Sequence, residues 1–178
     1  MGKLSGKSAI VTGASKGIGA AIARALANEG AAVVVNYSSS REGADKVVAE
    51  ITGKGGRAIA VQADVGKAAD VQRLFGVAKE TFGPIDILVN NAGVYQFDAL
   101  EQVSDTEFHR QFGANVLGPL LATQAALPQF GNKGGTVINV SSIASEKSMP
   151  AASVYSASKA AVDAITRSLA AELGPRGV

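Results

Sequence analysis

The feature that most constrains this chain is an alternation. Short runs of small and β-branched residues recur at Ala9–Val11, Ala32–Val35, Ala58–Val61, Ile85–Val89 and Thr136–Val140. Between them lie longer segments with a helical period. These are Ala20–Glu29, stopped by Gly30; about Arg41–Lys54, ended by Gly55-Gly56; and about Ala68–Phe82, broken by Gly83-Pro84. A long helical region interrupted by Gly113, Gly118, Pro119 and Pro128 follows, then a last helix over about Ala152–Leu173 with Gly174-Pro175 behind it. Strands that alternate with helices of about 10–15 residues form βαβ units and a parallel sheet. The strands are continuously apolar, so helices must cover both sheet faces. Right-handed crossovers then predict an α/β fold: a doubly wound parallel sheet in three layers. No linker, repeat or low-complexity segment divides the chain, which reads as one domain over residues 1–178. Such sheets bind ligands outside the carboxyl ends of their strands, at the point where strand order reverses.

The first strand runs into Thr12-Gly13-Ala14-Ser15-Lys16-Gly17-Ile18-Gly19. Gly13 permits a tight turn, Gly17 a close backbone approach to a pyrophosphate, and Gly19 close packing of helix on strand. The helix that begins here presents free N–H groups and a partial positive charge to an anion. A tight turn alone would also explain the glycines. Their place after the first strand of a βαβ series favours a nucleotide.

The spacing T-G-x-x-x-G-x-G differs from the common G-x-G-x-x-G. It resembles the classical short-chain dehydrogenase/reductase family, a Rossmann-type fold. Asn90-Asn91-Ala92-Gly93 resembles that family's N-N-A-G, and Tyr155-x-x-x-Lys159 its Y-x-x-x-K. Ser142 and Asn115 fall where the family has a catalytic serine and a helical asparagine. The motifs occur in family order along the whole chain. The nearest flavours are the 3-oxoacyl-carrier-protein reductases and glucose 1-dehydrogenases.

The resemblance implies an oxidoreductase that moves a hydride between a nicotinamide cofactor and a ketone or secondary alcohol. A phenol ordinarily ionises near pH ~10, and a neighbouring ammonium favours its phenolate. Tyr155 and Lys159, four apart on a helix, share one face. Tyr155 is therefore the expected proton donor, with Lys159 beside it to hold ribose hydroxyls. Ser142 is expected to polarise the carbonyl, and Asn115 to hold a water that relays the proton. Each of these residues, taken alone, also has an ordinary structural reading; their joint register with the glycine turn selects the catalytic one.

Cofactor choice is read at the end of the second strand, where NAD-binding folds place an acid on the ribose 2′-hydroxyl. Here the segment is Asn36-Tyr37-Ser38-Ser39-Ser40-Arg41, with no acid before Glu42. NADP(H) is therefore expected in preference to NAD(H), with Lys16 and Arg41 as candidate partners of a 2′-phosphate. The expected cofactor contacts are Gly13, Ser15, Lys16, Gly17, Ile18, Gly19, Asn36, Ser38, Asp64, Val65, Asn91, Ala92, Gly93, Tyr155 and Lys159. Asp64 reads equally well as a turn residue. Asn90 is expected to bond backbone while Asn91 meets the cofactor.

Composition removes several alternatives. The chain has no cysteine and one histidine, His109, so disulfides, thiolate chemistry and ordinary His-rich zinc sites are excluded. The net charge of +2 is scattered, which argues against nucleic acid. No apolar run approaches the ~20 residues of a membrane helix, and a cytoplasmic location is the default expectation. By resemblance, a homodimer or homotetramer is expected. The family's sheet has further strands beyond the fifth, and the sequence stops at the threshold of the sixth. The substrate-covering part would lie there, and the mouth residues Tyr95, Gln96, Glu146 and Met149 identify no substrate by themselves. Two other readings stay open: a catalytically silent truncated dinucleotide-binding module, and a related epimerase or dehydratase.

Overall fold

The computed structural model describes residues 2–178. Strands β1 (Ser8–Val11), β2 (Ala32–Tyr37), β3 (Arg57–Gln62), β4 (Ile87–Asn90) and β5 (Thr136–Asn139) form an all-parallel sheet in the order β3-β2-β1-β4-β5. Helices α1 (Gly17–Asn28), α2 (Arg41–Thr52), α3 (Ala68–Phe82), α4 (Asp105–Phe112), α5 (Gly118–Phe130) and α6 (Ser153–Leu173) complete the three-layer fold.

The pleat explains the layers. Successive side chains of a strand point to opposite faces. Ala9, Val11, Val33, Val35, Ile87 and Val89 enter one apolar cluster with Ala20, Ala23 and Ala27 of α1 and Ala44, Val47 and Ile51 of α2. The intervening Ile10, Val34 and Leu88 enter the other, with Leu74 and Phe75 of α3 and Ala122 and Ala126 of α5. Each fully buried Val, Leu or Phe contributes about 1.5–3 kcal/mol, so both faces must be covered. Small α1 residues let that helix lie close to the sheet.

Boundaries moved where local chemistry competed with the pattern. Helix α1 starts at Gly17 rather than Ala20, because Gly19 can pack where a larger residue would not. Ile85 is buried but precedes β4: its N–H bonds Gln129 Oε1 at 3.2 Å instead of a ladder partner. The expected interruptions at Gly113 and Gly118 do not break the helix. Both residues stay right-handed and bracket a single π turn, Gly113–Leu117, between α4 and α5. Such widened turns concentrate at functional sites, and this one carries Asn115.

Strand order reverses between β1 and β4 relative to the chain. The glycine turn and the Asn90–Gly93 segment leave the sheet there, side by side. Strand β5 forms the sheet's edge among the described residues, with Ile138 46% exposed.

Candidate active site

The turn after β1 is built by hydrogen bonds that tie three strands together. Gly13 adopts φ +62°, and a Cβ there would sit 2.7 Å from Ala92 Cα. Its N–H donates to Asn36 Oδ1 at 3.1 Å, and Ala14 N–H donates to the Asn36 carbonyl at 2.8 Å. Thr12 Oγ1 accepts from the N–H groups of Asn91 and Ala92, both at 3.0 Å. Asn91 Nδ2 donates back to the carbonyls of Thr12 and Gly13 at 2.8 and 3.1 Å. The two loops that would hold a dinucleotide are thus locked to each other.

Helix α1 opens into a cleft of about 930 Å³ at this point. Its N-cap, Lys16, provides no side-chain cap, and its first turn carries no acid. The uncapped N–H groups and the positive helix end are left for an anion. Gly17 has φ +57° with nothing within 4 Å of a would-be Cβ, so the backbone surface is bare toward open space. Ser15, Lys16, Ile18 and Gly19 line the same cleft, with Ser38, Ser39, Ser40, Val65, Ala92 and Gly93 on its other walls. These features fit a pyrophosphate with a nucleoside on either side.

Several residues line this cleft while their side chains serve the protein. Asn36 is buried, and its Nδ2 donates to the carbonyls of Tyr37, Val61 and Ala63 at 3.1–3.3 Å. Asp64 Oδ1 accepts from Gly66 N–H at 3.0 Å, the turn role that its sequence position also suggested. The roles expected of the paired asparagines differ in detail. Asn91, expected at the cofactor, gives its amide hydrogens to the turn backbone. Asn90, expected on backbone, bonds the side chains of Asn139 and Thr123 at 2.8 and 3.4 Å. Lys16 is exposed on the cleft. Arg41 lies outside its lining and faces Asp45 at 3.5 Å. Glu42 is likewise outside it, so β2 ends without a carboxylate on the cleft.

The cleft leads to the groups expected to react. Asn115 is 1% exposed and holds the Val94 backbone at both ends: Oδ1 accepts from Val94 N–H and Nδ2 donates to the Val94 carbonyl, each at 2.8 Å. Nδ2 also donates to Ser158 Oγ at 2.9 Å. The π turn supplies the width that lets this side chain reach both loop and α6. Lys159, 6% exposed, donates from Nζ to the Val140 carbonyl at 2.8 Å. A Cβ on Gly93 would lie 3.3 Å from Asn115 Oδ1 and 3.6 Å from Lys159 Nζ, so both side chains meet at Gly93, which lines the cleft, while Asn115, Ser142, Tyr155 and Lys159 lie outside that lining. Burial pushes the Lys159 ammonium below the ordinary lysine range, and the Asp163 carboxylate opposes that shift. The Asp163 carboxyl is itself held below the usual carboxylate range by the hydroxyls of Ser141 and Ser145, then by Arg167 and Lys159.

Tyr155 is half-buried one turn before Lys159, its ring edge-on to Tyr95 and Phe97. Ser142 follows β5, and its Oγ accepts from Ala144 N–H at 3.2 Å, which leaves the hydroxyl hydrogen to be donated elsewhere. It borders a second opening of about 690 Å³ between the loop after β5 and α6. Among the described residues no hydrogen bond joins Ser142, Tyr155 and Lys159 to one another. Sequence reasoning gave no role to Thr12, Ser158, Asp163 or the Val140 carbonyl. Thr12 was visible as the first letter of the glycine motif, and Asp163 as the i+4 neighbour of Lys159. The carbonyl had no sequence signal.

The family description "short chain dehydrogenase" matches residues 7–178. The chain is 57% identical over 178 residues to an uncharacterized oxidoreductase of Methylorubrum extorquens, covering 100% of this chain and 71% of the relative. It is 44% identical over 176 residues to a versicolorin reductase of Emericella nidulans, covering 99% of this chain and 67% of the relative. Its structure resembles that of a short chain dehydrogenase from Burkholderia cenocepacia in complex with NADP. The TM-score is 0.94 at 43% identity, with 98% of this chain and 71% of the other covered. The chain belongs to the short chain dehydrogenase family, and no helix among the described residues is long and apolar enough to cross a membrane.

Proposed function

We propose that this protein reduces a ketone with NADPH, with Tyr155 as proton donor. The observation that carries the reading is the convergence of Asn115 and Lys159 on Gly93, a residue of the cleft's lining, with Tyr155 one helical turn before Lys159. When bound, the nicotinamide supplies the hydride. The chain's own residues do the rest. The N–H groups of α1 and the bare Gly17 backbone hold the pyrophosphate. Lys159 binds ribose hydroxyls with the donors that Val140 does not use, and its positive charge favours the phenolate left on Tyr155. Ser142 donates to the carbonyl oxygen as negative charge develops there, and Tyr155 donates the proton that completes the alcohol. Asn115 holds the Val94 backbone and the Ser158 hydroxyl, and so fixes the wall along which a proton returns from solvent.

NADP(H) over NAD(H) is favoured by the missing acid at the end of β2 and by the exposed Lys16. The versicolorin reductase and a probable tetrahydroxynaphthalene reductase of Zymoseptoria tritici, 43% identical over 177 residues, favour a cyclic ketone over a 3-oxoacyl thioester or a sugar. A homodimer or homotetramer in the cytoplasm belongs to the same proposal. The test is oxidation of NADPH across a panel of ketones, with Tyr155→Phe as the decisive variant. Turnover is expected to fall by at least ~100-fold with NADPH affinity nearly unchanged. Near-normal turnover in this variant would overturn the mechanism.

A further inference from the structure

Two of the chain's three tyrosines and one of its six phenylalanines converge at the mouth of the site. Tyr95 and Phe97 have ring centroids 5.4 Å apart, and each sits 6.0–6.1 Å from the ring of Tyr155 at a steep angle. The two contacts with Tyr155 are edge-to-face, a geometry that favours aromatic pairs beyond their buried area. Yet Tyr95 is 65% and Phe97 47% exposed. Large rings held in order beside a reacting hydroxyl, with so much surface open, present an apolar wall to whatever approaches Tyr155.

The wall is fixed from behind by one face of α4 and the π turn. Asn115 holds Val94 as described. Arg110 donates to the Tyr95 carbonyl at 3.4 Å, and Gln111 Nε2 to the Gln96 carbonyl at 3.4 Å. Glu107 braces both, taking two bonds of 2.7 Å from Arg110 and one of 2.9 Å from Gln111. Gln111 is 1% exposed, and its Oε1 has no partner among the described residues. An unsatisfied buried acceptor is destabilising, which fits a side chain kept for where its N–H groups reach. At the loop's far end Asp98 N–H donates at 2.9 Å to the carbonyl of Ala151, a non-glycine residue at φ +60°. The loop is thus clamped to α4 on one side and to the start of α6 on the other. Clamping lowers the entropy lost on binding. The Arg110 guanidinium behind the wall is paired with Glu107 and so is not free for a phosphate or carboxylate.

We propose that Tyr95 and Phe97 are specificity-determining residues that select flat, uncharged aromatic ketones, and that Arg110 and Gln111 are positioning residues for this wall. The proposal rests on the ketone-reductase reading, and its test separates the two. The protein would be labelled with 3-fluorotyrosine, which gives one 19F resonance each for Tyr37, Tyr95 and Tyr155, and titrated with α-tetralone with and without NADP+. Resonances of Tyr95 and Tyr155 are expected to shift, while that of Tyr37, buried in the core, stays in place. In turnover, Phe97→Leu and Tyr95→Leu should lower kcat/KM for α-tetralone by about 3- to 10-fold more than for ethyl 3-oxobutanoate. Arg110→Lys keeps the charge but not the fork to Glu107; it should reduce the same selectivity through KM rather than kcat. A protein inert to every ketone whose Tyr95 resonance still responds to α-tetralone would refute the reductase reading and support the wall. No shift at Tyr95, or equal losses for both ketones, would refute the wall whether or not the protein is a reductase.

Discussion

Two glycines two residues apart should respond to alanine differently, one mainly in binding and the other mainly in folding. Gly17 has φ +57° and open space where a methyl would go. A left-handed alanine costs about 1–2 kcal/mol, partly offset by about 0.4–1 kcal/mol of lost freedom in the unfolded chain. The net loss of about 1 kcal/mol lowers Tm by about 2–4 °C for a domain of this size. The methyl would stand on the surface assigned to the pyrophosphate, so NADPH affinity should drop by about 10- to 100-fold, which is about 1.4–2.8 kcal/mol. Gly19 has ordinary helical backbone, and alanine there would gain about 1 kcal/mol of helix propensity. Its methyl, however, would fall on Asn91 Nδ2 and 2.6 Å from the Gly13 carbonyl oxygen. Overpacking costs about 1–3 kcal/mol, and each displaced Asn91 hydrogen bond about 0.5–1.5 kcal/mol. The sum is a loss of about 3 kcal/mol, or about 6–12 °C in Tm. Thermal denaturation and a fluorescence titration with NADPH read both variants. Gly19→Ala melting within a degree or two of the parent would show that the overlap relaxes freely. Unchanged NADPH affinity in Gly17→Ala would show that the cleft at the head of α1 is not the pyrophosphate site.

Lys16→Ala should weaken NADPH by roughly 10- to 100-fold, as for a charge-assisted bond of about 1.5–3 kcal/mol, and NADH much less. Equal losses, or a parent protein that prefers NADH, would contradict the reading of the β2 end. Lys159 bears on pH. Its folded-state pKa lies below the unfolded value because of burial. Between the two values the unfolded chain binds more protons, so stability rises with pH across that window. Relative to Lys159→Met, the parent should therefore gain Tm as the pH rises toward the ordinary lysine value of about 10. Parallel Tm curves for the two proteins would show that the ammonium carries no burial penalty.

The strands, their parallel sense and the glycine turn were legible because they rest on local pattern. Ile10, Val34 and Leu88 are each flanked by apolar neighbours, and a run apolar at every position is only stable between two helical layers. Gly13 and Gly17 occupy left-handed backbone that few other residues adopt, so the turn is written in single letters. The motif residues Asn115, Tyr155 and Lys159 were likewise visible, and the tertiary structure brings Asn115 and Lys159 together at Gly93.

Other features depended on the fold alone. The sequence marked Gly113, Gly118 and Pro119 as interruptions, yet helix continues through them, because packing of α4 and α5 outweighs weak local propensity. The π turn that results is what points Asn115 at both Val94 and Ser158. Asn36 and Asn91, expected as cofactor contacts, both line the cleft, and only the fold shows that their amides also bond backbone groups that the turn would otherwise leave unpaired. The Lys159 bond to the Val140 carbonyl, and the clamp of Arg110 and Gln111 on the Tyr95–Phe97 loop, join residues far apart in the chain through backbone atoms. Every residue carries the same backbone atoms, so no choice of side chain records which carbonyl a distant lysine or arginine will find; only the packed layers decide it.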